Sequence, residues 1–231
     1  MLQAIVFDID GTLVDSVDLH PLAWHEAFSQ FGHSVSFEQA RSQIGKGGDQ
    51  PIPTFLSDHD SADHGAALEE WRSARFKSEH LASVRPFSRV PELFRHARDA
   101  GLKIAVASSA KEDELQKYLE IAGVTKLSDA ATSPSDADRS KPAPDIFEAV
   151  LAKLHVEASN ALAVGDSPYD AQAANKTGLN CIGLLCGGFI EKDLRAAGCI
   201  DVYPGPAALD ACFDWSPLSA TRTSMLGRGV R

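Results

Sequence analysis

Short apolar runs recur along the chain, each followed by a polar or glycine-containing turn and then by a helical pattern. The runs fall at residues 3–7, 103–107, 127–131, 161–164 and 180–185. Between them, apolar residues return at helical spacing. Val90, Leu93, Phe94 and Ala97 form one such face, with Gly101 in the position that follows a helix end. Leu115, Tyr118, Leu119 and Ala122 form a second, ending at Gly123, and Ile146, Phe147, Val150, Leu151 and Leu154 a third. Strands that alternate with helices predict a doubly wound α/β core: a parallel sheet covered on both faces. In such folds a site forms beyond the carboxyl ends of the strands.

The interval 16–86 breaks this rhythm, and no strand is expected in it. Residues 17–31 read as a helix with Leu22, Ala23, Ala27 and Phe28 among its apolar positions. Ser36 and Gln39 are spaced as a capping box for a second, short helix. Residues 66–81 read as a third, with Leu68, Trp71, Arg75 and Phe76 available for packing. A loop with Gly45, Gly47, Gly48, Pro51 and Pro53 lies between. The expected organisation is therefore an α/β core of residues 1–15 and 87–215, a helical insertion of residues 16–86, and a polar, poorly packed tail, 216–231.

Composition narrows the classes. The chain has 231 residues, 44% hydrophobic and 23% charged, as in an ordinary soluble protein. Its formal net charge is −10, which provides no basic face for nucleic acid. No apolar window is long enough to span a membrane, and nothing at the start resembles a signal peptide, so a cytoplasmic monomer or dimer is expected. Cys181, Cys186, Cys199 and Cys212 form no Cys-x-x-Cys pair and read as reduced thiols rather than a zinc site.

Candidate chemistry collects at the ends of the apolar runs. The first ends at Asp8, with Asp10 two positions on and Gly11 permitting a sharp turn; the second ends at Ser108; the fourth leads to Asp166. Lys141 follows the third, ahead of a helix. A parallel sheet brings such residues to one edge. Paired carboxylates suit Mg²⁺, a hard ion that prefers oxygen ligands and often shares its shell with a substrate phosphate. A hydroxyl and an ammonium suit the remaining phosphoryl oxygens. Taken singly, each has a plainer reading: Asp8 and Asp10 as turn residues, Ser108 or Ser109 as a cap for the helix near Lys111, Asp166 as another cap, and Lys141 as a loop lysine.

The stretches DIDGTLVDS, VASSA, SKPAPDIF and VGDSPYD occur in that order. Together they resemble the four motifs of the haloacid dehalogenase-like hydrolase superfamily. The helical insertion resembles the cap of its phosphoglycolate phosphatase and β-phosphoglucomutase branch. The likeness covers residues 1 to about 213. It implies a Rossmann-like core and a Mg²⁺-dependent phosphatase acting on a small phosphorylated metabolite. By the same resemblance Asp8 is the nucleophile that forms an aspartyl-phosphate, and Asp10 is the general acid and base. Mg²⁺ is then held by the Asp8 carboxylate, the Asp10 backbone carbonyl and Asp166, with Asp170 in or near its surroundings. Ser108 or Ser109 and Lys141 bind the phosphoryl group, and Thr12 positions the loop around it. Dehalogenating members lack the second aspartate of the first motif, so Asp10 favours phosphoryl transfer.

In the insertion, His20, Lys46 and Lys77 are candidate specificity residues, Lys46 in the loop IGKGGDQP and Lys77 beside Arg75 on the third helix. Each residue type also fits a purely structural role at its position. Trp24 stands near His20, and the acidic and histidine cluster SDHDSADHG is expected to be a solvated loop leading into a helix. Two alternatives remain open. A β-phosphoglucomutase-like phosphomutase would pass the phosphoryl group to a sugar hydroxyl; in that enzyme an acidic residue precedes the aspartate of the fourth motif, where this chain has Gly165. A non-enzymatic phosphorylatable receiver also uses acids, a hydroxyl and a lysine, but it lacks the insertion and the DxDGT turn.

Overall fold

The computed structural model describes residues 1–219. A six-stranded parallel sheet has the order β5-β4-β1-β6-β7-β8. Its strands are β1 (Ala4–Phe7), β4 (Lys103–Ala107), β5 (Ala130–Thr132), β6 (Ala161–Gly165), β7 (Asn180–Leu184) and β8 (Cys199–Tyr203). β1 pairs with β4 on one side and β6 on the other. The chain therefore winds outward in both directions from β1, and the crevice at its end is where α/β sheets place their sites. All four β1 residues are buried, as a central strand covered on both faces requires.

Helices cover both faces. α5 (Val90–Asp99) and α6 (Glu112–Ala122) pack with Phe7, Ile104 and Val106 on one side. α7 (Asp145–Leu154) and α8 (Pro168–Thr177) pack with Val6, Ala105 and Ala163 on the other. The predicted helix ends hold: Gly101 and Gly123 follow α5 and α6 with φ of 80° and 69°. The predicted run at 127–131 shifts, because Leu127 and Ser128 are still held to Val124 after α6 and pairing with β4 begins at Ala130. β8 was not foreseen, because Asp201 interrupts its apolar pattern.

Between β2 (Val14–Asp15) and β3 (Arg85–Pro86), a two-residue antiparallel ladder, lie α1 (Leu19–Gln30), α2 (Phe37–Arg41), α3 (Pro51–Phe55) and α4 (Asp58–Arg75). They are followed by a wider turn, Phe76–His80. β3 corrects the expectation that no strand occurs in 16–86. The predicted capping box at Ser36 and Gln39 forms. The SDHDSADHG cluster is not a loop: Ser57 accepts from the Asp60 N–H, and the helix already runs from Asp58. These helices have their own apolar cluster, including Trp24, Ala27, Phe28, Val35 and Leu68. The expected poorly packed tail also needs correction at its start. Ser216 is fully buried and Leu218 joins the main core, while residues 220–231 lie outside the described residues.

Candidate active site

The carboxyl end of β1 delivers Asp8 to a floor that is almost entirely buried. Lys141 is 1% exposed and reaches in from the loop before α7. Its Nζ donates to Asp8 Oδ1 at 2.5 Å and to the Ala107 carbonyl at 3.1 Å, and lies 2.8 Å from Asp170 Oδ1. Asp166 follows β6 and accepts a hydrogen bond from the Thr12 hydroxyl at 3.2 Å. Asp170 sits in the first turn of α8, where its other oxygen accepts from the Ser167 N–H and hydroxyl at 3.1 and 2.6 Å. This is a reciprocal cap with Ser167, so local helix chemistry fixes a carboxylate that also faces the lysine.

Oxygens of Asp8, Asp166 and Asp170 lie within 4.8 Å of one another, all on buried residues. Burial pushes the Asp8 carboxyl up to about 7; Lys141 opposes the rise, and Asp170 and Asp10 add to it. Burial likewise holds Asp166 well above the usual carboxylate range, helped by Asp170 and Asp8. Burial works to deprotonate Lys141, but Asp170 and Asp8 outweigh it and raise its pKa. Three acids facing one ammonium form a group whose negative charge, when ionised, a divalent cation would offset. Oxygen donors of this type fit a hard ion. The backbone leaves no spare room here: a Cβ at Gly187 would fall 1.7 Å from Asp166 Oδ2.

Asp10 lies outside that acidic group. Its carboxylate turns to His20 Nε2 at 3.0 Å and to the Ser16 hydroxyl. Burial works to raise its pKa, but the His20 charge and hydrogen bonds from His20 and Ser16 lower it overall. His20 stacks on Phe76, with ring centroids 4.2 Å apart, and its Nε2 is 3.2 Å from the Tyr118 hydroxyl. Its place is beside Asp10.

A cavity of about 470 Å³ opens above this floor. Asp8, Asp10, His20, Ser108, Ser109 and Lys141 all line it. Ser108 is buried and its hydroxyl accepts from the Ala110 N–H at 3.0 Å, so it caps the start of the next segment while facing the cavity. Lys46 lines the cavity too, held by Gln43 Oε1 at 2.7 Å and lying over the Tyr169 ring. Two expected contacts are redirected. Thr12 is absent from the cavity lining, because its hydroxyl is committed to Asp166. Lys77 is absent as well: its ammonium pairs with Asp113 at 2.6 Å, tying the helical segment to α6. The structure adds Glu69, Arg72, Lys111 and Glu114 to the lining. Glu69 and Arg72 are an i, i+3 pair, a spacing common on any exposed helix face, and nothing in the sequence marks them out.

Residues 5–184 match the haloacid dehalogenase-like hydrolase family, and the chain belongs to it. It is 30% identical to phosphoglycolate phosphatase of Vibrio parahaemolyticus, with 80% of this chain and 85% of that protein covered. It is 26% identical to validoxylamine A 7'-phosphate phosphatase of Streptomyces hygroscopicus, covering 80% and 86% respectively. The crystal structure of a hydrolase from Pseudomonas syringae superimposes with a TM-score of 0.83 at 25% identity, covering 92% of this chain and 98% of that one. No helix among the described residues is long and apolar enough to cross a membrane.

Proposed function

We propose that the chain is a Mg²⁺-dependent phosphatase that hydrolyses a small phosphate monoester through an aspartyl-phosphate. Residues 1–15 and 87–215 would form the catalytic core, and 16–86 a cap that closes over it. The observation that carries this reading is the buried arrangement of Asp8, Asp166 and Asp170 around Lys141 at the end of β1, on the floor of a cavity. The phosphatase names of relatives at 26% and 30% identity support it.

Asp8 Oδ attacks phosphorus. The new O–P bond forms as the bond to the leaving oxygen breaks, and Asp10 supplies that oxygen's proton. Water then attacks the aspartyl-phosphate, Asp10 takes up a proton from it, and inorganic phosphate leaves with Asp8 restored. Lys141 and Ser108 or Ser109 bind the phosphoryl oxygens and offset the charge that builds on them. Asp8, Asp166 and Asp170 would hold Mg²⁺, which supplies further neutralisation of the phosphoryl charge when bound. Thr12 keeps Asp166 oriented. His20 and Ser16 hold Asp10 between the reacting oxygens and the cap.

Hydrolysis is favoured over the mutase alternative by the surroundings of Gly165. A Cβ there would lie 2.6 Å from Asp170 Cβ and Cγ, so an acidic side chain before Asp166 has no room without moving Asp170. The test is phosphate release from a panel of phosphate monoesters in the presence of Mg²⁺, with Asp8→Asn in parallel. Release is expected from the wild-type protein, with none from the variant or in EDTA. Activity retained by Asp8→Asn would refute the nucleophile assignment. Isomerisation of a sugar phosphate without phosphate release would establish the mutase.

A further inference from the structure

The cavity wall on α4 carries two side chains that the proposed chemistry leaves unused. Arg72 is 6% exposed, and its guanidinium lies over the Trp24 indole, 4.9 Å from the ring centroid. Its Nη2 donates to Glu69 Oε1 at 2.9 Å. Its Nε–H is buried and meets no acceptor among the described residues, and Glu69 Oε2 is buried and meets no donor. Both residues line the cavity that contains Asp8. On the core side, the Lys111 ammonium lies 3.3 Å from the same Glu69 Oε1.

A phosphate or carboxylate is normally gripped by two parallel N–H groups of one guanidinium. Here Glu69 already holds one of those nitrogens, and its negative charge stands beside the other. The pair leaves one buried donor, the Arg72 Nε–H, and one buried acceptor, Glu69 Oε2, without partners among the described residues. A hydroxyl is the complement of that pair, because it accepts one hydrogen bond and donates another. Trp24 fixes the plane of the guanidinium, so the donor is preorganised. Neither free atom is open to water in this arrangement, so a substrate hydroxyl would reach them through a small shift of the two side chains at the cavity wall. The cavity, about 470 Å³, also exceeds what a two-carbon phosphate ester fills and falls in the range of sites for larger metabolites.

We propose that Glu69 and Arg72 together read a hydroxyl on the leaving-group side of the substrate, and that the substrate is the monophosphate of a sugar or another polyol. This rests on the phosphatase reading and narrows it. It disfavours two-carbon carboxylate esters such as phosphoglycolate, and sugar bisphosphates, whose second anionic group would have to displace Glu69.

The test compares kcat/KM for hexose, pentose and polyol monophosphates, phosphoglycolate, sugar bisphosphates and acetyl phosphate, which carries no hydroxyl. One of the polyol monophosphates is expected to exceed phosphoglycolate and every bisphosphate by about tenfold or more. Glu69→Gln and Arg72→Lys should each lower the ratio of kcat/KM for that substrate to kcat/KM for acetyl phosphate by about tenfold, mainly through KM, with an unchanged circular dichroism spectrum. Removing the recognised hydroxyl from the substrate should cost the wild-type protein far more than it costs the variants. Preference for phosphoglycolate or a bisphosphate would overturn the inference, as would a ratio that stays within about twofold in folded variants. If Arg72→Lys does not fold, the isosteric Glu69→Gln decides alone. Turnover of no compound, acetyl phosphate included, would instead overturn the phosphatase reading and this inference with it.

Discussion

Asp8 and Asp10 sit two positions apart in one turn, yet their surroundings push their carboxyl groups in opposite directions. Burial raises Asp8, whereas His20 and Ser16 outweigh burial at Asp10 and lower it. The resemblance gives Asp10 the proton-carrying role and Asp8 the attacking one, the opposite of the order these surroundings favour. A divalent cation held by Asp8, Asp166 and Asp170 would add positive charge beside Asp8 and favour its ionised, attacking form. Asp8, Lys141 and Asp166 were legible because strand ends converge in any parallel sheet. Thr12's partner was not, because an alternation pattern does not say which way a hydroxyl in a turn will face. The close packing at Gly187 yields a prediction. In Gly187→Ala the new methyl must displace Asp166, whose Oδ2 lies 1.7 Å from the ideal Cβ. Mg²⁺ affinity, measured by calorimetry, should fall by about tenfold or more while the fold persists, the size of effect seen when groups that orient metal ligands are disturbed. Affinity within about twofold of the wild type would mean that Asp166 does not help to hold the ion.

Among the elements, those with strong helical spacing were read closely, and those defined by partners were not. α5, α6 and α7 show their buried faces in sequence. β3 and β8 do not, since a strand two residues long or one with an internal aspartate is specified by its neighbour's register. The start of α4 was missed because its first turn is acidic and polar, which suits a helix N-terminus as well as it suits a loop. α1 and the end of α4 are joined by a contact that neither sequence segment announces alone. Glu26 accepts from Arg75 Nε at 2.6 Å and lies 3.4 Å from His80 Nε2, while Glu79 lies 3.5 Å from Arg75 Nη1. The hydrogen bond from Arg75 is the main reason that Glu26 has a pKa below its ordinary 4.5; burial opposes it, and the His80 hydrogen bond adds to it. A depressed carboxyl stabilises the fold when ionised, so its contribution is present above 4.5 and disappears as pH falls through the lower folded value. Glu26→Gln should therefore cost about 1 kcal/mol or less in urea unfolding at neutral pH. The difference from wild type should shrink towards zero as the solution is acidified below that range. A difference that grows on acidification would contradict the assignment.

At the scale of the whole molecule, the helical segment keeps an apolar cluster of its own, joins the main core through buried Ala23 and Phe76, and meets the core rim around the cavity through polar contacts. Lys77 pairs with Asp113, Lys111 with Glu69, Arg41 donates to the Gly187 carbonyl at 2.5 Å, and the Tyr169 hydroxyl donates to the Ser42 carbonyl at 3.2 Å. The chain enters and leaves the helical segment at the short β2–β3 ladder. Polar contacts of this kind give little up when they part, because water replaces them, so the proposed closure would open and shut at this rim while Ala23 and Phe76 keep the segment seated on the core. The arrangement also explains why the sequence leaves the direction of Lys77 open: a cation near the end of the inserted helices can face either the cavity or the core rim, and the position of α6 decides. Exposed ion pairs contribute about 0.2–1 kcal/mol each and are screened by salt. The screening length falls from about 10 Å at 0.1 M to about 3 Å at 1 M ionic strength. Raising salt across that range should therefore raise KM by roughly threefold to tenfold beyond its effect on the bare phosphate group. Acetyl phosphate, too small to span the cavity, serves as the reference for that second effect. Lys77→Glu turns the bridge to Asp113 into a repulsion. At low salt it should already show the raised KM, together with a larger radius of gyration in solution scattering, and added salt should lower its KM rather than raise it. A variant whose KM and salt response match the wild type would show that the two parts close without this ion pair.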